Sequence, residues 1–141
     1  MNPFPALAAA AVIAVSGCAT TSVDTITTGS VQPMSGADLK GAFSEQTAKV
    51  STDCFPAELK RVLADLKVHF GKAPVVTSGH RPRSGKSQHS RCKAADIRIP
   101  GVHPRKVAAY ARTIRGVGGV GTYCRKTIVH VDVGPRRDWK C

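Results

Sequence analysis

The chain is poor in glutamate, in aromatic side chains and in acids as a class. Its two glutamates, Glu45 and Glu58, lie early, and beyond His89 the only acids are Asp96, Asp132 and Asp138. Acid–base chemistry in the second half must therefore rest on aspartate or histidine. Four Phe, two Tyr and one Trp leave little to stack on bases, and no nucleic-acid-binding motif is present. A net charge of +12, from 21 Lys and Arg against 9 acids, then implies an anionic partner without implying nucleic acid. The apolar run Ala6 to Val15 is too short to span a bilayer. The five cysteines contain no C-x-x-C pair, which argues against a zinc site built from them.

What is present begins with an export signal. Residues 1–17 carry no charged side chain, and their apolar run has the length of a signal-peptide core. The run ends in Val15-Ser16-Gly17-Cys18, which resembles a bacterial lipobox, with Cys18 as the lipid-modified residue. The n-region departs from the usual pattern in having neither Lys nor Arg, and plain secretion by nearby cleavage is the alternative. Ala19 is not the acidic residue that holds lipoproteins in the inner membrane, so anchoring to the outer membrane, facing the periplasm, is favoured. Peptidoglycan carboxylates and lipid head groups are the polyanions met there. Setting Cys18 aside leaves Cys54, Cys92, Cys124 and Cys141, which read as two disulfides with three possible pairings.

Residues 19–52 are rich in Thr, Ser, Gly, Val and Ala without a sustained apolar period, and read as a tether. A single domain is expected over 53–141. Leu59, Val62, Leu63, Leu66 and Phe70 recur at helical spacing, with Pro56 in the first turn and Gly71 closing the helix. Strands are expected at Ala73–Thr77 and Ala94–Ile99, and a second helix carries Val107, Ala108, Ala111 and Ile114 on one face. The runs GVGGVGTY and TIVHVDVG give two more strands. The whole is an α+β domain, a small antiparallel sheet with flanking helices.

In TIVHVDV the alternation sets Val129, Val131 and Val133 on one face and His130 with Asp132 on the other. A lone histidine on a strand is usually structural. Here a second imidazole and carboxylate, His89 and Asp96, stand upstream, and Asp96 lies among Ala94, Ala95 and Ile97, where an unpaired carboxylate is costly. A salt bridge from Asp96 to an arginine such as Arg98 is the plainer alternative. Together the two clusters supply the three ligands of a catalytic zinc and one group to spare. His69 and His103 read as structural or exposed.

SGHR (Ser78 to Arg81), S-x-H-x6-D (Ser87 to Asp96), GGVGTY, VHVDVG and an Arg/Trp tail at Arg136, Arg137 and Trp139 resemble the D-Ala-D-Ala metallopeptidases. The closest likeness is to their YcbK-like murein endopeptidase branch, within the superfamily that includes lysostaphin-type enzymes and the hedgehog domain. The resemblance covers about residues 54 to 140. It implies a hedgehog/DD-peptidase-like fold and one Zn2+ per chain held by His89, Asp96 and His130. It also implies that Arg81 holds a substrate carbonyl or carboxylate, with Ser87 and His80 as further substrate contacts. One departure is Cys92, where the family has a glycine three residues after the first ligand; a cysteine tolerates positive φ poorly, so a reshaped loop, pinned by a disulfide, is expected.

A second departure is that the family's usual base, Glu or His near the last ligand, is missing. By elimination Asp132 is the candidate base. A mirror assignment, with Asp132 as ligand and His130 as helper, stays open. The expected activity is zinc-dependent cleavage of cell-wall stem peptides or cross-links by a lipid-anchored monomer acting on peptidoglycan. The alternatives are a D,D-carboxypeptidase, a non-catalytic zinc-containing peptidoglycan-binding lipoprotein, or a basic envelope protein that binds polyanions with its histidines structural.

Overall fold

The helical spacing of Leu59, Val62, Leu63 and Leu66 is realised in the computed structural model, which describes residues 39–141. These residues bury one face of α1 (Ala57–Phe70). Pro56 stands at the N-cap, where its missing N–H costs nothing, and Gly71 ends the helix in the left-handed region at φ 64°. Glu58 in the first turn and Lys67 and His69 in the last complement the helix dipole. The opposite face is solvated, and Val68 on it is 76% exposed.

Six strands form one mixed sheet: β1 (Ser44–Glu45), β2 (Val75–Ser78), β3 (Ala94–Arg98), β4 (Gly119–Thr122), β5 (Val129–Asp132) and β6 (Arg137–Trp139). Their order is β1-β2-β3-β5-β4-β6. The expected antiparallel sheet is its centre, β2 through β4; the two edge strands add in parallel, β1 on β2 and β6 on β4. The second helix, α2 (Pro104–Ala111), is shorter than the apolar pattern suggested and leaves Ile114 in the turn that follows, still buried. His103 caps it by accepting the Arg105 N–H.

Alternation along the strands divides the sheet into two faces. Val76, Ala95, Ile97, Val120, Val129 and Val131 join Leu59, Leu63, Leu66, Val107 and Ala108 in one core. The polar residues Asp96, His130 and Asp132 occupy the other face, and they too are buried. His69 stacks on Tyr110 with ring centroids 3.5 Å apart, joining the two helices. Among the described residues no helix is long and apolar enough to cross a membrane.

The last part of the tether expected over 19–52 belongs to the folded domain. Ala42 and Thr52 are buried, Phe43 packs on Phe55, and Ser44 and Gln46 donate backbone hydrogen bonds to Pro74 and Val76. Polar composition hid this strand because its pairing uses backbone groups alone. The signal segment 1–17, Cys18 and the tether up to residue 38 lie outside the described residues.

The disulfides pair Cys54 with Cys92 and Cys124 with Cys141, one of the three possibilities. In the chain-entropy view, loops of this length contribute about 3–4 kcal/mol each. β6 is held by Asp138, which takes a bidentate hydrogen bond from Arg112 at the end of α2, and by Trp139 lying against Gly121. A Cβ at Gly121 would come 1.9 Å from the indole, so no larger residue fits there.

Leu63 is fully buried, and Leu63→Ala is expected to lower stability by about 2–5 kcal/mol in urea unfolding with the disulfides intact. Val68→Ala on the same helix should stay within about 0.5 kcal/mol. Equal losses at the two positions would contradict the assigned helix face.

Candidate metal centre

β3 and β5 are antiparallel with Asp96 directly opposite His130, so both side chains leave the sheet on the face away from the helices. His89 arrives from the loop before β3. That loop closes on itself through Cys92 N–H to the His89 carbonyl, 3.2 Å, and Lys93 N–H to the Gln88 carbonyl, 2.9 Å. Cys92 sits at φ 57°, in the left-handed region. The loop is therefore not reshaped around the cysteine. Cys92 adopts the conformation a glycine would supply, at a cost of about 1–2 kcal/mol, and the disulfide to Cys54 ties it down.

Three donor atoms converge. His89 Nε2 lies 3.2 Å from His130 Nδ1, His130 Nδ1 lies 3.0 Å from Asp96 Oδ1, and His89 Nε2 lies 3.4 Å from the same oxygen. All three residues are buried. The outer ring nitrogens settle the tautomers. His89 Nδ1 is 2.7 Å from the Gly79 carbonyl, which only accepts, so Nδ1 carries the proton. His130 Nε2 is 2.9 Å from Asp132 Oδ2, a carboxylate that also accepts from Arg137, so Nε2 carries the proton there. Each neutral ring then turns a lone pair toward the other and toward Asp96. Such a group of lone pairs can be satisfied by a metal ion or by a proton on one of the rings. Donors about 2.1 Å from a tetrahedral ion stand about 3.4 Å apart, and the observed spacings come close to this.

Asp132 does not stand where a base or a ligand must stand. It is fully buried and lies on the far nitrogen of His130 from the cluster. Its Oδ1 accepts from the Gly119 and Gly134 N–H groups at 3.0 and 2.8 Å, and its Oδ2 from His130 Nε2 and from Arg137 Nη2 at 2.7 Å. With four donors bound, no lone pair remains to take a proton from water. This geometry supports neither the expected base role nor the mirror assignment. The carboxylate instead orients His130.

The remaining expected residues divide. Arg81 Nη2 is 3.7 Å from Asp96 Oδ2 with its side chain half exposed, at the mouth of the cluster. Ser87 is engaged within its own loop, 2.6 Å from Ser84 Oγ and accepting from the Ser90 N–H. His80 packs beside Cys54 and Cys92, whose sulfurs are committed to the disulfide. Two groups were missed: Tyr123, whose hydroxyl donates to Asp96 Oδ1 at 3.3 Å, and Arg137, the partner of Asp132. Both lie in motifs, GGVGTY and the Arg/Trp tail, that the sequence already marks.

A family model described as Peptidase M15 matches residues 22–132, most of the chain. The chain belongs to the peptidase M15 family. It is 39% identical over 82 residues to a probable peptidoglycan L,D-endopeptidase MepK of Haemophilus influenzae, covering 55% of this chain and 44% of that protein. It is 41% identical over 54 residues to peptidoglycan L,D-endopeptidase MepK of Escherichia coli K12, covering 38% of this chain and 29% of that protein. The chain thus spans less than half the length of these curated relatives. No solved structure matches it. The likeness read from SGHR, S-x-H-x6-D, GGVGTY and VHVDVG agrees with both the family and the murein endopeptidase branch.

The electrostatics of this M15 site follow from its closeness. Burial raises the pKa of Asp96, but hydrogen bonds and charge from His130 and His89 outweigh it and hold the carboxyl well below the ordinary carboxylate range. Asp132 is likewise lowered against its burial by His130, Arg137 and the Gly134 N–H. Burial favours the neutral ring of His130, yet its bonds to Asp132 and Asp96 push its pKa up. Burial and the Asp96 charge push the Tyr123 hydroxyl up to about 12, so it remains a donor.

In the metal-free protein the lowered carboxylates stabilise the fold above about pH 4 and lose that contribution as pH falls toward their folded values. The raised His130 stabilises it below about pH 6.5 and loses its contribution as pH rises through its folded value. The Tm gap between chelator-treated wild type and His130→Ala should therefore be widest between about pH 4 and about pH 6.5. A gap that widens steadily toward alkaline pH would count against the paired cluster.

Proposed function

We propose that the protein is a zinc-dependent peptidoglycan hydrolase that cuts peptide bonds in stem peptides or their cross-links. The observation that carries this reading is the convergence of His89 Nε2, His130 Nδ1 and Asp96 Oδ1 with their lone pairs inward. Two imidazoles and one carboxylate suit zinc, one ion per chain. When bound, zinc would supply an acidified water and polarise the scissile carbonyl. The names of the MepK relatives favour an endopeptidase over a D,D-carboxypeptidase.

The chain's own residues do the rest. Gly79 and Asp132 hold the two imidazoles in their ligating tautomers, and Arg137 keeps Asp132 ionised behind His130. Arg81, half exposed beside Asp96, offers its guanidinium to the substrate carbonyl and shares the charge that develops there. Tyr123 donates its hydroxyl proton to the other oxygen of Asp96, Oδ1. Cleavage before Cys18, lipidation, a periplasmic site at the outer membrane and a monomeric state belong to the same proposal. The engagement of Asp132, among the described residues the one carboxylate near the cluster besides Asp96, favours as second reading a zinc-containing module that binds peptidoglycan without cutting it.

Purified protein with its disulfides formed should carry one zinc and release new amine ends from peptidoglycan, in a chelator-sensitive and zinc-restored manner. His89→Ala should lose both metal and activity. Asp132→Asn should weaken zinc binding by about 10–100-fold and recover activity in excess zinc. Activity lost with zinc affinity intact would return Asp132 to the role of base, and zinc without cleavage would leave the binding module.

A further inference from the structure

Beside Tyr123 lies a cavity of about 480 Å³ lined by His103, Arg105, Arg125, Lys126 and Cys141 among others, with no acidic side chain in its walls. Among the described residues Arg105, Arg125 and Lys126 form no salt bridge. The two acids beyond residue 100 are committed elsewhere, Asp132 behind His130 and Asp138 on Arg112. A second cavity of about 320 Å³ shares Arg105, Thr122 and Cys141 and adds Lys140 as a further cation, its Arg112 being paired with Asp138.

The loop that presents these charges is held in place. Arg125 sits at φ 57°, a conformation costly for a residue other than glycine, and its neighbour Cys124 is stapled to Cys141. Lys126 closes a turn onto the Tyr123 carbonyl at 3.3 Å, with its ammonium 5.9 Å from the centre of the Tyr123 ring. A like-charged cluster fixed in this way is preorganised for an anion. Tyr123 connects it to the metal centre, lining the cavity while its hydroxyl reaches Asp96. A ligand that engages both places must be a chain with an anionic group close to the bond at the centre.

We propose that this cavity binds a free carboxylate of the peptide substrate, carried by a residue flanking the scissile bond. The inference rests on the peptidase reading above and adds a specificity determinant to it: acidic peptides are preferred over amidated ones. Carboxylate is favoured over a lipid phosphate because Tyr123, which lines the cavity, also reaches Asp96, where the peptidase reading puts a peptide and not a bilayer surface.

The test uses two synthetic wall peptides identical except that one carries the flanking carboxylate free and the other carries it as the amide. Wild type should show a KM about tenfold lower for the free acid, the loss expected on removing one or two charge-assisted contacts. Arg105→Gln/Lys126→Gln should raise KM for the acid to that for the amide while zinc content stays at one per chain. In chelator-treated protein, the acid peptide alone should shift the amide resonances of residues 122–127. That shift without cleavage of either peptide would uphold the cavity and sink the peptidase reading. Cleavage of both peptides with equal KM would overturn the cavity proposal and leave the peptidase standing. Binding to phosphatidylglycerol vesicles that the double variant abolishes, with no peptide preference, would overturn it in favour of a membrane contact.

Discussion

The hydrogen bond from His130 Nε2 to Asp132 Oδ2 decides which nitrogen of His130 faces Asp96 and His89, and the rest of the centre follows from that choice. For the bond to hold, Asp132 must remain ionised while fully buried, which burial alone would forbid. Four donors make it possible: the His130 ring, the Gly119 and Gly134 N–H groups and the Arg137 guanidinium. They come from β5, from β4, from the bend after β5 and from β6. β4 must approach so closely that a Cβ at Gly119 would lie 2.1 Å from Asp132 Oδ2, and β6 must pair in parallel with β4 to bring up Arg137. The edge strand is thus part of the site's support, and Trp139 on it covers the His130 ring at 4.9 Å.

A similar division of labour holds on the other side of the cluster. His89 is fixed by a main-chain carbonyl, Gly79, at the end of β2, and by a loop whose turn needs a left-handed residue at Cys92. The Cys54–Cys92 disulfide binds that turn to the segment entering α1, and Ser51 takes the His80 N–H beside it. A small domain whose core is two helices on one sheet face has little energy to spare for holding buried polar groups together. Two covalent staples, one near each half of the site, lower that cost.

Much of this was legible in the residues. The 3.6-residue period of α1 and the alternation of β3 and β5 came from apolar spacing alone, and the four motifs brought His89, Asp96 and His130 into one group. What spacing could not show was direction. His130 and Asp132 do share a sheet face, but neighbours on a face need not share a cavity: two residues along a strand, the carboxylate reaches the outer nitrogen of the ring and not the inner one. β1 and β6 escaped because two- and three-residue strands carry no measurable alternation and are held by backbone pairing. At Cys92 the expected disulfide is present, while the loop keeps a left-handed residue there in place of the expected reshaping.

The tautomers of the two histidines, observed by long-range nitrogen–proton NMR before and after zinc is added to metal-free protein, probe the centre most directly. The expected result is His130 protonated on Nε2 and bound through Nδ1, with His89 protonated on Nδ1 and bound through Nε2. Zinc bound through Nε2 of His130, or no zinc-dependent change in either ring, would contradict the central claim.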